Sequence, residues 1–431
     1  MQRTLRLTLL ATLFLLCSCG TGGGDNGGDA RFRVLNASTG YTSLDVYSND
    51  QDKDDEDAQR FSAVSYGVLS DYVSLKAATY TLDFRRAGAS TSLYSLSSQA
   101  MAEDSNATYV TYGSSGHFNV YKISDDVSAA DSGKAKVTVV NVAEAGTLDV
   151  YLTDENIDLT DTSPQFAALA SGSSLGATVN SATYRLRVTG ASDTTDIRLD
   201  VSGIVFSSTQ VATIILTPTK GGVLVNGMLL PQQGSVTSYP NTKARIRGAV
   251  GISNGTKATM TVGGTTLLSN ATVGIISNTY QQVTAGTVPV TVVIDGVAAT
   301  IPNQSVVAGS DYTLLVWNDA SGTQASLVGD DNRAPEVGAN VKIRLLNGLS
   351  ALGGPISYTV NFDPTADDVA LGEVSPYAEI AAGSDYEIDV KDALTSAPLF
   401  SKTGVSLTSG AVYTMFMYSG ATPSATLRRD R

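Results

Sequence analysis

The feature that most restricts how this chain folds is a phrase it repeats four times. ARFRVLNASTGYTSLDVYSN at 30–49, AKVTVVNVAEAGTLDVYLT at 135–153, ARIRGAVGISNGTKATMTVGG at 244–264 and VKIRLLNGLSALGGPISYTVNFD at 341–363 share one plan. Each is an alternating strand, a short polar break and a second alternating strand. In the second strands Leu44 and Val46, Leu148, Val150 and Leu152, Ala258, Met260 and Val262, and Ile356, Tyr358 and Val360 share one face. Asp45, Asp149, Thr259 and Ser357 are the polar half of that two-residue period. The period predicts strands half-buried in a sheet. Recurrence about every hundred residues predicts whole domains in series rather than a solenoid of ~20–50-residue units.

Later strands recur too. A middle strand reads TYTLDF (79–84), TYRLRV (183–188), VPVTVVI (288–294) and DYEIDV (385–390), with Pro289 marking an edge or late arrival in its sheet. A closing strand reads NATYVTY (106–112), VATIILT (211–217), GSDYTLLVW (309–317) and GAVYTMFMY (410–418). Six or seven short strands per repeat and no helical stripe predict an all-β protein of four tandem antiparallel β-sandwiches, immunoglobulin-like in type. The expected repeats are 30–126, 134–231, 243–331 and 340–431. Their joints at 125–133, 231–242 and 331–339 are short and rich in Pro, Gly, Ser and Asp, which predicts a semi-extended chain of beads. Gly309 with Tyr312, and Gly410 with Tyr413, resemble tyrosine corners whose phenols bond back to nearby backbone.

At the amino terminus Arg3 and Arg6 precede an apolar run at 7–16 that is too short for a membrane span and reads as a signal peptide. Leu16-Cys17-Ser18-Cys19-Gly20 resembles the bacterial lipoprotein cleavage box, with Cys19 as the lipid acceptor, since Leu16 before Cys17 is not small. The alternative is an ordinary secretory signal with incidental cysteines. On the lipoprotein reading, 1–18 is removed and the glycine-rich 19–29 is a flexible tether. By the same resemblance, the lack of Asp after Cys19 implies an exported protein anchored at the outer membrane, facing the periplasm or the cell surface. Both cysteines lie in the first twenty residues, so no disulfide framework or cysteine metal site exists beyond them. Gly22–Gly27 spells GxGxxG, but no strand precedes it and no helix follows, so the nucleotide reading fails.

The opening Ala-Arg-x-Arg-Val-x-Asn-Ala-Ser at 30–38, followed by Leu-Asp-Val-Tyr at 44–47, is similar to an uncharacterised bacterial family of tandem β-sandwich repeats on exported lipoproteins. The second repeat keeps Leu148-Asp149-Val150-Tyr151, while the third and fourth keep only the strand pattern. The resemblance implies surface location and modular build, and brings no activity or functional residue with it.

A net charge of −13 argues against sequence-independent nucleic-acid binding, which needs a basic surface, and suits a solvated, self-repelling protein. Gly172-Ser173-Ser174-Leu175-Gly176 spells GxSxG, but it lies between strands, and the sole histidine, His117, is in another repeat. A hydrolase is therefore disfavoured, and no spacing singles out a pair of carboxylates for glycoside hydrolysis. The run DQDKDDED carries Asp50, Asp52, Asp54, Asp55 and Asp57, which are candidate calcium ligands. It departs from an EF-hand, because Asp55 stands where Gly is needed and Phe61 where the bidentate Glu belongs. A merely solvated charge run is the competing reading; no other cofactor is expected. Trp317 is expected in a core or a joint. Tyr41, Tyr47, Tyr66, Tyr72, Tyr94 and Tyr121 make the first repeat tyrosine-rich, and they either cover sheet faces or form a ligand platform.

Two functions are compatible with these observations. One is a lipid-anchored, non-enzymatic envelope protein whose sandwiches form a spacer and interaction rod, touching the membrane through its lipid and envelope proteins or glycans through its domains. The other is a glycan- or peptide-binding lipoprotein with the first repeat as its head.

Overall fold

A computed structural model describes residues 28–51, 57–114, 116–252 and 254–431. The first unit consists of β1 (Asp29–Asn36), β2 (Ser43–Asp50), β3 (Ala58–Ser65), β4 (Val73–Lys76), β5 (Ala78–Arg86), β6 (Ser92–Met101), β7 (Asn106–Tyr112) and β8 (Asn119–Ser124). They make two four-stranded sheets, ordered β4-β1-β7-β8 and β3-β2-β5-β6. The second unit repeats the order with β9 (Lys134–Asn141), β10 (Leu148–Thr153), β11 (Phe166–Leu169), β12 (Ser174–Asn180), β13 (Thr183–Gly190), β14 (Asp193–Val205), β15 (Val211–Pro218) and β16 (Val225–Pro231). It then adds a short edge strand, β17 (Thr237–Tyr239). The third and fourth units have the same order in their two four-stranded sheets, and the third adds a two-stranded pair, Gly286–Val288 with Gln304–Val306. The protein is thus a series of β-sandwiches, immunoglobulin-like in architecture, with a strand order that sends its first two strands to opposite sheets.

One pairing per unit departs from the antiparallel expectation. β1 runs parallel to β7, β9 to β15, and the corresponding strands of the third and fourth units do the same. These partners are far apart in sequence and need no hairpin, so direction is left to the crossover.

Alternation fills the cores as expected. Phe32 and Val34 of β1 meet Leu44 and Val46 of β2 and Leu82 and Phe84 of β5, all essentially inaccessible to solvent. Equivalent side chains form a separate cluster inside each of the other three units. Each large aliphatic or aromatic residue so buried contributes about 1.5–3 kcal/mol.

The polar residues of the repeated phrase have a shared structural task. Asp45 Oδ1 accepts the Ala63 N–H at 2.8 Å, and Asp149 Oδ1 accepts that of Ala168 at 2.7 Å. Thr259 Oγ1 takes the Asn270 N–H at 3.1 Å, and Ser357 Oγ that of Asp368 at 3.3 Å. Each donor sits at a break in register between the second and third strands, with φ of 50°, 51°, 49° and 54° respectively. An extra residue in left-handed conformation leaves an N–H out of the ladder, and this oxygen satisfies it. The aspartate of Leu-Asp-Val-Tyr is therefore a bulge clamp. Its second oxygen also takes Gly88 N–H in the first unit and Ser192 N–H in the second, both at 2.8 Å. Repeats that lost the tetrapeptide kept a hydroxyl in the same place.

The asparagine of the phrase is a second clamp. Asn36 Nδ2 donates to the Tyr41 and Val64 carbonyls, Asn141 Nδ2 to Gly146 and Leu169, and Asn347 Nδ2 to Gly354 and Val369. The tyrosine corners form too: Tyr312 Oη accepts the Val307 N–H and Tyr413 Oη the Thr408 N–H, each at 3.2 Å.

The units are not isolated beads. Leu35, Ala37 and Val110 of the first share one apolar cluster with Val140, Val142, Ile215, Met228 and Leu230 of the second. Ala249, Ile276 and Leu315 of the third do likewise with Leu346 and Phe416 of the fourth. Joints between strands set the path of the chain, but apolar outer faces decide the stacking. At the carboxyl terminus Arg431 donates to the carbonyls of Glu144 (2.6 Å) and Asn332 (3.0 Å), tying the two stacked pairs together.

Candidate functional site

Because β1 alternates, Phe32 and Val34 point into the sandwich while Arg33 and Leu35 point out of it. Yet Arg33 is 4% exposed and Leu35 fully covered, since another unit lies on that face. Each seam between stacked units joins two such outer faces.

The seam between the third and fourth units is closed by a reciprocal charged clasp. Its third-unit members are Arg247, Tyr280, Thr313 and Asp330; the fourth unit supplies Arg344, Tyr377, Thr414 and Asp430. Strand register sets arginine opposite threonine in both units. Arg344 Nη2 donates to Asp330 Oδ1 and Nη1 to the Gly329 carbonyl at 2.8 Å. In return Arg247 Nη1 donates to Asp430 Oδ1 at 2.5 Å. Tyr280 and Thr313 both donate to Asp330 Oδ2 at 2.7 Å, and Thr414 to Asp430 Oδ2 at 2.5 Å. The Tyr280 and Tyr377 rings lie 4.9 and 4.6 Å from the guanidiniums of their own units. Burial pushes the Asp330 carboxyl up, but the Arg344 and Arg247 charges outweigh it and hold the group below the usual carboxylate value. Burial also lifts the Tyr280 phenol well above its ordinary value. Trp317 packs on the apolar part of this seam. A Cβ on Gly372, whose φ is +83°, would lie 2.4 Å from its ring.

The first unit carries the same quartet. Tyr72 Oη and Thr108 Oγ1 donate to Asp125 Oδ2 at 2.6 Å, Arg33 Nε donates to Thr108 Oγ1 at 2.8 Å, and the Tyr72 ring lies 4.5 Å from the Arg33 guanidinium. The second unit does not. Register places Thr138 where the arginine stands elsewhere, opposite Gly176 in the tyrosine's place and Thr213 in the threonine's. Gln232 takes the aspartate's backbone position, its N–H bonded to the Val211 carbonyl as that of Asp125 is to Asn106.

Two consequences follow at the seam between the first and second units. Gln232 turns away, exchanging hydrogen bonds with the backbone of Val127, so Arg33 donates through Nη1 only to the Gly234 carbonyl at 2.6 Å. Arg33 Nη2 is buried without a hydrogen-bond partner among the described residues. On the other side a cavity of about 510 Å³ opens, lined by Tyr121, Ser124, Asp125, Thr138, Gly176 and Thr213 among others. Asp125 is 1% exposed. Its Oδ1, the counterpart of the oxygen that Arg344 grips, has no hydrogen-bond partner among the described residues, because Tyr72 and Thr108 both use Oδ2.

The residues singled out from sequence are placed elsewhere. Cys19 and three of the acidic candidates, Asp52, Asp54 and Asp55, lie outside the described residues. Asp50 ends β2 and is buried, while Asp57 binds Arg85 at 2.5 Å. Among the described residues no group of three His, Cys, Asp or Glu side chains gathers to hold a metal. Ser174 of the GxSxG letters opens strand β12 and accepts the Tyr121 hydroxyl at 2.7 Å, so no strand-turn-helix elbow forms around it. Most of the first repeat's tyrosines serve packing. Tyr41 is in the core, Tyr94 rests against Phe118, Arg85 covers Tyr47 at 4.0 Å, and Tyr72 belongs to the quartet, while Tyr66 is 40% exposed.

The clasp was not anticipated from the sequence. Its signal there is the Arg-x-Arg or Lys-x-Arg that opens three repeats at Arg31/Arg33, Arg245/Arg247 and Lys342/Arg344, against Lys136/Thr138 in the second.

Residues 30–151 match the family described as a domain of unknown function (DUF4397). The match spans the first unit and ends on Tyr151, the last residue of the second Leu-Asp-Val-Tyr. None of the curated proteins compared with the chain matches it. Among solved structures, the family 26 carbohydrate-binding module CBMbc of Eubacterium rectale Amy13K, in complex with maltoheptaose, aligns at 12% identity over 48% of this chain and 96% of its own. Its TM-score is 0.17, too low to carry an argument about fold or ligand.

Proposed function

We propose that this is a non-enzymatic, lipid-anchored protein of the cell envelope, held at the outer membrane through Cys19, whose β-sandwiches form a stiff scaffold for interactions with envelope proteins or glycans. The observation that supports the scaffold reading is the stacking of units by buried outer faces, clasped in one pair by crossed arginine–aspartate contacts. Covered faces and buried charge pairs resist sliding and bending, as a spacer requires. The residues whose letters suggested hydrolysis are used otherwise, Ser174 bonding Tyr121 across a seam.

The test of anchoring is Cys19→Ser expressed in the native cell. Release of the protein from the membrane fraction supports the reading, and unchanged retention overturns it. Crosslinking in intact cells, with identification of neighbours, tests the scaffold role: reproducible envelope partners support it, and a chain that captures none overturns it.

A further inference from the structure

The geometry points to the cavity between the first and second units as a binding site for a small molecule that carries a guanidinium or amidinium group beside an aromatic ring. This site is independent of where the protein is anchored. The protein supplies its own comparison, since the matching place in the other seam is full. There the Arg344 guanidinium bonds Asp330 Oδ1 and the Gly329 carbonyl, with the Tyr377 ring 4.6 Å away. In the first unit the two acceptors survive as Asp125 Oδ1 and the Ser124 carbonyl, both belonging to residues that line the cavity. What the second unit lacks is the group that should fill the space: arginine has become Thr138 and tyrosine Gly176.

A planar cation would donate two parallel hydrogen bonds to these acceptors, as Arg344 does, and engage the Asp125 carboxylate oxygen that faces the cavity and has no donor among the described residues. The ring would occupy the place of Tyr377, above Gly176. A side chain can leave the backbone at that point, since a Cβ built on Gly176 approaches nothing closer than Thr138 Oγ1 at 3.7 Å. Lys136 and Lys122 also line the cavity and would oppose a cation, as would Arg33, whose Nε lies 3.7 Å from Asp125 Oδ2; in the filled seam Arg247 Nε lies 3.8 Å from Asp330 Oδ2 and the Arg344 guanidinium is still accommodated. Lys136 Nζ is held by the Ser128 carbonyl and hydroxyl at 2.8 and 2.9 Å. Its counterpart Lys342 sits beside Arg344 in the same way, held by Asp331 at 3.0 Å, so lysine and guanidinium coexist at this position. Lys122 lies on the opposite face of its strand, 5.6 Å from the Tyr109 ring in the core.

Benzamidine, an amidinium on a phenyl ring, is the probe, titrated into the purified full chain by calorimetry, with neutral benzamide as its control. Saturable one-to-one binding of benzamidine, and benzamide weaker by at least about tenfold, is the expected result. The variant Thr138→Arg with Gly176→Tyr should rebuild the fourth unit's filling and abolish binding while remaining folded. Asp125→Asn should weaken binding by about tenfold or more. Absence of saturable benzamidine binding, equal binding of benzamide, or undiminished binding to the filled variant would each overturn the proposal. Should Asp125→Asn fail to fold, the benzamide control and the filled variant still decide it.

Discussion

The two seams are built from the same outer sheets, and they differ in one respect. Between the third and fourth units both partners bring arginine, tyrosine, threonine and aspartate, and the arginines cross to the opposite aspartates. Between the first and second, only one partner brings them, and the seam keeps an Arg33 Nη2 with no hydrogen-bond partner among the described residues and an open cavity at Asp125. Two sandwiches stack without a crossed arginine–aspartate clasp, because the first seam has a shared apolar cluster with neutral acceptors, the Gly234 carbonyl and the Ser174 hydroxyl, taking hydrogen bonds across it from Arg33 and Tyr121. The charged quartet therefore adds orientation to one seam, and its loss from half of the other leaves room for something else.

The sharpest way to break the comparison is Asp330→Ala. It leaves the buried Arg344 guanidinium without its carboxylate and strips Tyr280 and Thr313 of their acceptor, while Arg247 keeps Asp430, and unfolding of the third and fourth units in denaturant should shift by about 3–5 kcal/mol. A shift no larger than that of a surface substitution would show the clasp to be energetically idle. Asp125→Ala should act more mildly, by about 1–3 kcal/mol, since it removes hydrogen bonds from Tyr72 and Thr108 and has Arg33 Nε only at 3.7 Å. If both variants lose equal stability, the seams are equivalent after all.

Acid should separate the seams as well. Asp330 is held below its ordinary carboxylate value in the folded protein, so its contribution is present above the unfolded pKa and is lost as pH falls through the folded one. Thermal melts below about pH 4, the unfolded carboxylate range, should therefore lose stability, and Asp330→Asn should flatten that dependence. An unaltered acid limb in the variant would contradict the assignment. The smallest effect expected is a gain: Thr138→Arg with Gly176→Tyr should raise stability by about 0.5–2 kcal/mol by filling the cavity. A loss of stability would mean the space is not the mirror of its counterpart.

Much of the fold is legible without coordinates, for a local reason. Alternation at Leu44, Val46, Leu148 and Val150 states which face is buried whatever lies opposite, and Gly309/Tyr312 carries its corner within a few residues. Asp45, Asp149, Thr259 and Ser357 are recognisable as one recurring position, but their task depends on a bulge in the neighbouring strand. The site was less legible. Arg33, Arg247 and Arg344 lie on the outward half of a two-residue period, which in a lone sandwich faces water. A charge at such a position reads as solvated until another unit is known to cover it.

The amino-acid sequence by itself determined the four repeats, the all-β sandwiches and their separate cores, because side-chain alternation and turn chemistry act over a few residues. Only the tertiary structure decided that outer faces meet in pairs, that arginines cross to aspartates far along the chain, and that Thr138 and Gly176 leave a cavity beside Asp125. Those outcomes depend on how one folded sheet docks on another, and docking is set by whole surfaces rather than by any local stretch of chain.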